Sequence, residues 1–435
     1  MASSTIALII FGLCFISFVL EKVPLAVTCL VGGLALAFTG IINFSDVYSN
    51  LGGSVVALVI GINITAIGMQ CAGISDMICS KLEKSKYLNN ERIFLLILFL
   101  VAAILSVCIP CSNNGIVAMF IPIIQKLSAR TNGAVKQKHG LMMVAMGASG
   151  SGSLTTYATG VGIIASGLVA ASGIPGTRDF TYFELSLATA PAFLAMTLWF
   201  ATIGYTQLKK HLAYMPDNSI DETIGIVTDD KTEAIPVWKK IVALGAIGFM
   251  IVGFMFLSNV IDSTIITLIS AAIVLVTGVV PWKRVTKEVD WNTVLVLGFS
   301  SALATGLNTS GASLLVANKV VDFFGGTNAS PFVLLFVCVV LSTIMTQFIG
   351  NAALVIALIP ICLQVAVACG SNPMCFAAAT TIGSIMALST PVGTAPMTVS
   401  LAGGYKYVDY IKVGGPINMI MMIIVALVAP LVYGL

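Results

Sequence analysis

Charge is what this chain has least of. Only 9% of its 435 residues are Asp, Glu, Lys or Arg, while 58% are hydrophobic; a soluble domain carries roughly 25% charged residues. Such a sequence cannot cover a water-facing surface, and its mean hydropathy of +1.04 marks a polytopic membrane protein in contact with lipid. So few charges also leave no basic face for nucleic acid. Histidine is nearly absent: His139 and His211 are the two present, both expected in charged loops. That speaks against a histidine metal site or histidine acid–base catalysis. The ten cysteines lie mostly within apolar runs and form no extracellular framework. Cys108 and Cys111 have redox spacing, so a membrane thiol oxidoreductase is one alternative reading. No second cysteine pair lies nearby to relay electrons, which favours small core residues beside a helix break. Thr5–Leu20 lacks the basic leading segment and cleavage site of a signal peptide, and is expected to be a membrane helix.

What is present is a run of apolar segments, each long enough to cross a bilayer. In the first half they are Thr5–Leu20, Pro24–Ile42, Val55–Lys81, Ile93–Ile124, Gly140–Ala170 and Leu185–Gly204. In the second they are Val242–Leu257, Ile265–Val280, Val294–Val320, Pro331–Val367, Phe376–Ala402 and Ile411–Tyr433. Between them, Gln207 to Lys240 is rich in charge and reads as a solvated connector. The expected organisation is a first repeat over 1–206, a cytoplasmic linker over 207–240 and a second repeat over 241–435.

Polar knots interrupt these runs at matching places. The stretch Pro110, Cys111, Ser112, Asn113, Asn114 and Gly115 must stop a helix, because Pro110 lacks an amide hydrogen and Asn113, Asn114 and Gly115 favour turns. Gly350, Asn351 and Ala352 do the same in the second half; Asn113 and Asn351 are 238 residues apart. Pro122 and Pro360 share that offset, as do Gly73 and Gly311. Two more breaks follow, from Gly147 to Thr156 and from Ser389 to Pro396.

Positive charge decides whether the asparagine segments span. If each dips in and returns as a hairpin, nineteen of the 21 lysines and arginines fall on one side, as cytoplasmic loops require. Each half then crosses five times, so the second is inverted. The fold class expected is an all-α polytopic membrane protein of inverted repeats, each with five transmembrane helices and one re-entrant hairpin. Inverted repeats with discontinuous helices are a signature of secondary transporters.

New helix N-termini at the breaks carry about half a positive charge and suit carboxylate, sulfate or phosphate oxygens. Ser112, Asn113, Asn114, Asn351, Thr155, Thr156 and Thr394 add side-chain hydrogen bonds for a small anionic substrate. Carbonyl oxygens at the opposite ends suit a small hard cation such as sodium. The four breaks hold no acid or base, which favours sodium over proton coupling.

At these residues the sequence resembles the divalent anion/sodium symporter family, which includes sodium-coupled dicarboxylate and citrate transporters, within the ion transporter superfamily. The family pairs Ser-Asn-Thr tips, each followed by a proline-isoleucine step, with unwound helices, one reading like Pro391 to Pro396 here. The resemblance covers nearly the whole chain and implies a homodimer in the cell membrane, a prokaryotic plasma membrane. Each protomer would have a scaffold domain and a transport domain that moves like an elevator. It implies that Ser112 and Asn113, with the Ser151–Gly152 backbone, hold one sodium. Thr346, Asn351 and the Gly393 backbone would hold another. Asn113, Asn114, Asn351 and Thr394 would face a di- or tricarboxylate. The chain departs from the family at the first tip, Ser-Asn-Asn, and at the second, Gly-Asn-Ala, where two hydroxyls are lost. It departs again at Met397, and at Cys108, where a hydroxyl is expected; against the family pattern, the chain is also expected to lack the extra N-terminal helix. The lost hydroxyls keep open a carrier of an inorganic oxyanion such as sulfate, or an exporter.

Overall fold

A computed structural model describes residues 2–20, 22–73, 82, 90–109, 113–131, 133, 135–220, 236–257, 260–326 and 329–435. Among them the regular structure is all helical. The first half runs α1 (Ser3–Leu20), α2 (Leu25–Phe38), α3 (Phe44–Tyr48), α4 (Ser54–Cys71), α5 (Glu91–Cys108), α6 (Asn113–Arg130), α7 (Gln137–Gly150), α8 (Gly160–Ala170), α9 (Ser186–Ala201) and α10 (Ile203–His211). The second runs α11 (Val237–Val252), α12 (Ser263–Val276), α13 (Trp282–Glu288), α14 (Trp291–Thr309), α15 (Ala312–Phe323), α16 (Pro331–Met345), α17 (Asn351–Ala368), α18 (Pro373–Ile385), α19 (Ala395–Ser400) and α20 (Tyr407–Tyr433).

The 238-residue offset governs more than motifs. Shifted by it, the starts of α2, α3 and α6 fall on those of α12, α13 and α17. The packing obeys the same exchange. Helix α2 lies on α14 as α4 lies on α12, α5 on α7 as α16 on α18, and α6 on α19 as α17 on α8; α9 meets its own counterpart α20. The halves are inverted repeats that interlock rather than sit side by side. Helices α1–α4 with α12–α14 pack as one group, and the hairpins α5–α6 and α16–α17 pack with the broken helices as another.

Six helical stretches among the described residues are long and apolar enough to cross a membrane, or seven if the α9–α10 pair, bent by 59°, is one span. Shorter apolar helices of 10–17 residues, α2 and α8 among them, complete the bundle. One long apolar segment is broken by a local turn. Val294–Val320 is not continuous, because Gly311 turns at φ 72° between α14 and α15. Gly73, its counterpart, turns at φ 63° just beyond α4, and residues 74–81 of the segment expected as Val55–Lys81 lie outside the described residues. The left-handed region is cheap only for glycine.

Two glycines set how closely each hairpin approaches its broken helix. A Cβ on Gly147 would stand 2.3 Å from Phe99 O, and one on Gly383 would stand 2.3 Å from Ser342 Oγ. The first leg of the first hairpin therefore lies with its backbone against the helix that carries the next break, and in the second half the Ser342 and Thr343 hydroxyls fill the corresponding contact.

The connector differs from its expected solvated form over its first part. Leu208, Leu212, Met215 and Ile220 are buried, the Ile220 amide donates to Gln137 Oε1 at 3.2 Å, and the Gln137 amide donates to Asp217 O at 3.0 Å. Residues 221–235 lie outside the described residues. His139 is no loop residue either. It sits in the first turn of α7, 2% exposed, with Nδ1 2.7 Å from Glu91 Oε1. Apolar residues flank a few well-placed polar ones here, so composition alone mistook a packed strap for a tether.

Candidate functional site

The two tips meet. Asn113 and Asn351 line one cavity of about 500 Å³, each as the first residue of its helix, α6 or α17. Both breaks arise as the sequence dictates. Gly350 adopts an extended conformation before α17, and the first leg of the other hairpin ends where Ile109 leaves helical geometry.

Around each asparagine the structure builds a small oxygen cluster. On the first hairpin, Ser106 Oγ donates to Asn113 Oδ1 at 2.7 Å and lies 3.1 Å from Ala148 O. Asn113 Nδ2 also reaches Ala148 O, at 3.4 Å. On the second, Thr346 Oγ1 donates to Ser384 O at 2.6 Å. The Asn351 amide is oriented with its nitrogen 2.6 Å from Thr346 Oγ1 and 2.5 Å from Gly393 O, donating to both, with Ser384 O at 3.3 Å. The hydroxyl and carbonyl oxygens gathered beside each asparagine are the ligand type that small hard cations take. The donor set therefore fits sodium.

Sequence reasoning missed Ser106. Thr346 lies 238 residues beyond Cys108, and the missing hydroxyl at Cys108 was a departure from the family pattern. Ser106, two residues earlier on α5 and fully buried, supplies that hydroxyl from another angle. Its one sequence signal is a lone serine inside the apolar run Leu105–Val107.

Of the other expected residues, Thr394 reaches the cavity. It precedes α19, and its hydroxyl is 3.2 Å from that of Ser149, which also lines the wall. Gly393 lines it too, and a Cβ there would come within 2.4 Å of Thr346 O. Ser151 and Gly152 close the C-terminal end of α7, where Ser151 Oγ donates to Gly147 O at 2.8 Å and the Gly152 amide to Ser149 O at 3.1 Å; neither lines the cavity. Nor do Thr155 and Thr156. The Thr156 hydroxyl donates to Thr181 O at 2.7 Å and its amide to Tyr182 O at 2.9 Å, so this break is pinned to the 177–185 loop. Thr155 is buried with its hydroxyl unpartnered. Ser112, Cys111 and the side chain of Asn114 lie outside the described residues.

Four helices point their N-termini into this space. Besides α6 and α17, α8 begins at Gly160 behind its cap Thr159, and α19 begins at Ala395. Their first amides lack intrahelical partners and carry partial positive charge. Among the described residues the wall holds no Lys, Arg or His; its ionisable side chain is Asp290, which caps α14 by accepting from the Thr293 amide at 3.1 Å. Positive potential here comes from helix ends, and the arrangement suits a small anion.

Gln347 holds the second break in place. Its Nε2 donates to Thr343 O and Met386 O, both at 2.9 Å, and its Oε1 accepts from the Ser389 amide at 3.0 Å. The Thr390 hydroxyl donates to Gln347 O at 2.6 Å. One amide thus replaces the helical bonds that residues 386–390 forgo, the compensation that irregular backbone at membrane depth requires.

Comparison with known proteins agrees with this geometry. The family model CitMHS, described as a citrate transporter, matches residues 15–383. An uncharacterised transporter of Haemophilus influenzae is 25% identical over 347 residues, 78% of this chain and 72% of its own. The human Na(+)/dicarboxylate cotransporter 3 is 26% identical, and rabbit solute carrier family 13 member 2 is 31% identical, each over 147 residues. Those two alignments span 34% of this chain and about a quarter of the relatives' length. Two solved transporters share the fold. YdaH of Alcanivorax borkumensis has a TM-score of 0.64 and 16% identity, covering 97% of this chain and 98% of its own. MtrF of Neisseria gonorrhoeae has a TM-score of 0.62 and 14% identity, covering 99% and 94%.

Proposed function

We propose, from the premise that this chain belongs to the CitMHS citrate transporter family, that it imports a di- or tricarboxylate together with sodium. The chain is a multi-pass membrane transporter, not an enzyme, so the thiol oxidoreductase alternative falls away. One observation carries the finer reading: the two asparagine tips share a cavity whose positive potential comes from helix ends rather than fixed cations. A divalent anion entering such a site needs further neutralising charge, and two oxygen clusters beside the tips are suited to supply it as metal ions. Relatives that bear the name Na(+)/dicarboxylate cotransporter add support.

In this reading Asn113, Asn351, Thr394 and Ser149 face the carboxylates. Ser106, Asn113 and Ala148 O would hold one sodium ion, and Thr346, Asn351, Ser384 O and Gly393 O the other. The hairpins and broken helices would move as one unit against the α1–α4 and α12–α14 group, an elevator motion, in a homodimer. The repeats would divide at the connector, 1–206, 207–240 and 241–435. Uptake into proteoliposomes is the test. An inward sodium gradient should be required, and full uptake in potassium-only buffer would remove the coupling.

The second tip, flanked by Gly350 and Ala352, offers no hydroxyls to a carboxylate and favours a second reading, an oxyanion carrier or exporter. Sulfate outcompeting succinate and citrate would select it.

A further inference from the structure

At the far end of α7 from the asparagine site lies a separate basic pocket. It has a volume of about 450 Å³ and is lined by Lys136, Lys138, His139, Lys209, Met215 and Asp217. Helix α7 is 14 residues long, which puts this end about 20 Å from the other at 1.5 Å per residue. The charge arrangement runs against the helix. An N-terminus carries partial positive charge and prefers acids, yet the cap and first turn here are Lys136, Lys138 and His139.

The structure compensates only in part. Asp217 is shared between Lys138, at 2.9 Å, and Lys136, at 3.2 Å, and Lys138 also donates to Met215 O. Glu91 is engaged elsewhere, by His139 Nδ1 at 2.7 Å and by the Tyr205 hydroxyl at 3.0 Å. Lys209 stands over the Tyr205 ring, 5.6 Å from its centroid, with no carboxylate paired to it among the described residues. Three lysines thus face one pocket carboxylate. His139 adds an independent sign: it is 2% exposed, and its Nε2 is buried without a hydrogen-bond partner. A buried ring nitrogen left unpaired is costly unless a ligand or water meets it.

We propose that this pocket is a second anion site, distinct from the transport cavity, that takes a compact, multiply charged oxyanion of the phosphate class. Lysine ammonium groups bind such ions as point charges, whereas planar carboxylates are better met by the arginine fork, which this wall lacks. The ion would contact Lys209 and Lys136, sharing Lys136 with Asp217, and its own hydroxyl would donate to His139 Nε2, since Nδ1 is engaged by Glu91. It could arrive as free phosphate or as the headgroup of an anionic lipid, since the chemistry is the same.

The test is thermal unfolding of the purified full chain against inorganic phosphate at constant ionic strength. Phosphate should raise Tm by mass action. Lys209→Gln and Lys136→Gln should each need about tenfold more phosphate for the same rise, the loss of one charge-assisted contact. Asn351→Ala, altered only at the transport cavity, should keep the full rise, so failure of the transport reading leaves this result untouched. Nanodiscs of phosphatidylcholine with and without phosphatidic acid separate the sources: loss of the phosphate response with phosphatidic acid identifies the headgroup, and its persistence identifies the free ion. No response in wild type, an unchanged response in both lysine variants, or its loss in Asn351→Ala would overturn the proposal.

Discussion

Ser106 and Asn113 face each other across the first hairpin tip, joined at 2.7 Å, and they stand to Ala148 O as Thr346 and Asn351 stand to Ser384 O. A hydroxyl, an amide and the last carbonyls of a broken helix recur on both halves, although the two hydroxyls are not at equivalent sequence positions.

From this pairing, Ser106→Ala should raise the sodium concentration needed for half-maximal uptake by about tenfold, the cost of one hydroxyl ligand. Asn113→Ala and Asn351→Ala should go further and abolish measurable uptake. Sodium titration of proteoliposome uptake reads both, and Cys108→Ser, which leaves the cluster intact, should change little.

Gln347 closes residues 386–390 against the hairpin with one side chain. Gln347→Leu keeps much of the volume but strands Met386 O and the Ser389 amide. It should cost about 2–4 kcal/mol, two unsatisfied buried groups, seen as a lowered Tm together with lost uptake.

Gly393→Ala tests the contact between the second break and its hairpin. The added Cβ would meet Ala387 Cβ and Thr346 O at 2.4 Å each. Overpacking of this kind costs about 1–3 kcal/mol. Uptake should fall more than Tm does, because the displaced Gly393 carbonyl belongs to the oxygen cluster.

Asp290 places a negative charge on the wall of the cavity. Asp290→Asn keeps the cap on α14 and removes the repulsion, so KM for a divalent anion should fall several-fold at low ionic strength. The gain should shrink in high salt, as screening requires.

The Asp217 carboxyl is held below the usual aspartate range by Lys138 first and by Lys136 after it. Its contribution is present above the ordinary aspartate pKa, roughly 4, and is lost as pH falls through the lower folded value. Hydrogen exchange over residues 212–220 should therefore quicken only in acid, and Asp217→Asn should show the quickened rate at neutral pH.

Much of this was legible in the sequence. Low charge fixed the membrane class, the 238-residue offset gave the repeats, and the polar knots at Asn113 and Asn351 gave the breaks, because backbone hydrogen bonding is local and a glycine or proline disrupts it wherever it falls. The broken-helix residues were harder. Thr155 and Thr156 read as site residues by type, yet the loop that receives Thr156 is some 25 positions away in sequence.

Sequence by itself determined what kind of protein this is and where its helices must stop. Only the tertiary structure decided that Ser106 rather than Cys108 bonds the tip asparagine, that α8 and α19 add their N-termini to those of the hairpins, and that Asp290 joins the cavity wall. The reason is geometric. Two residues along a helix is more than half a turn, so which hydroxyl meets the asparagine depends on the helix rotation fixed by distant packing at Gly147 and Gly383, which no local pattern encodes.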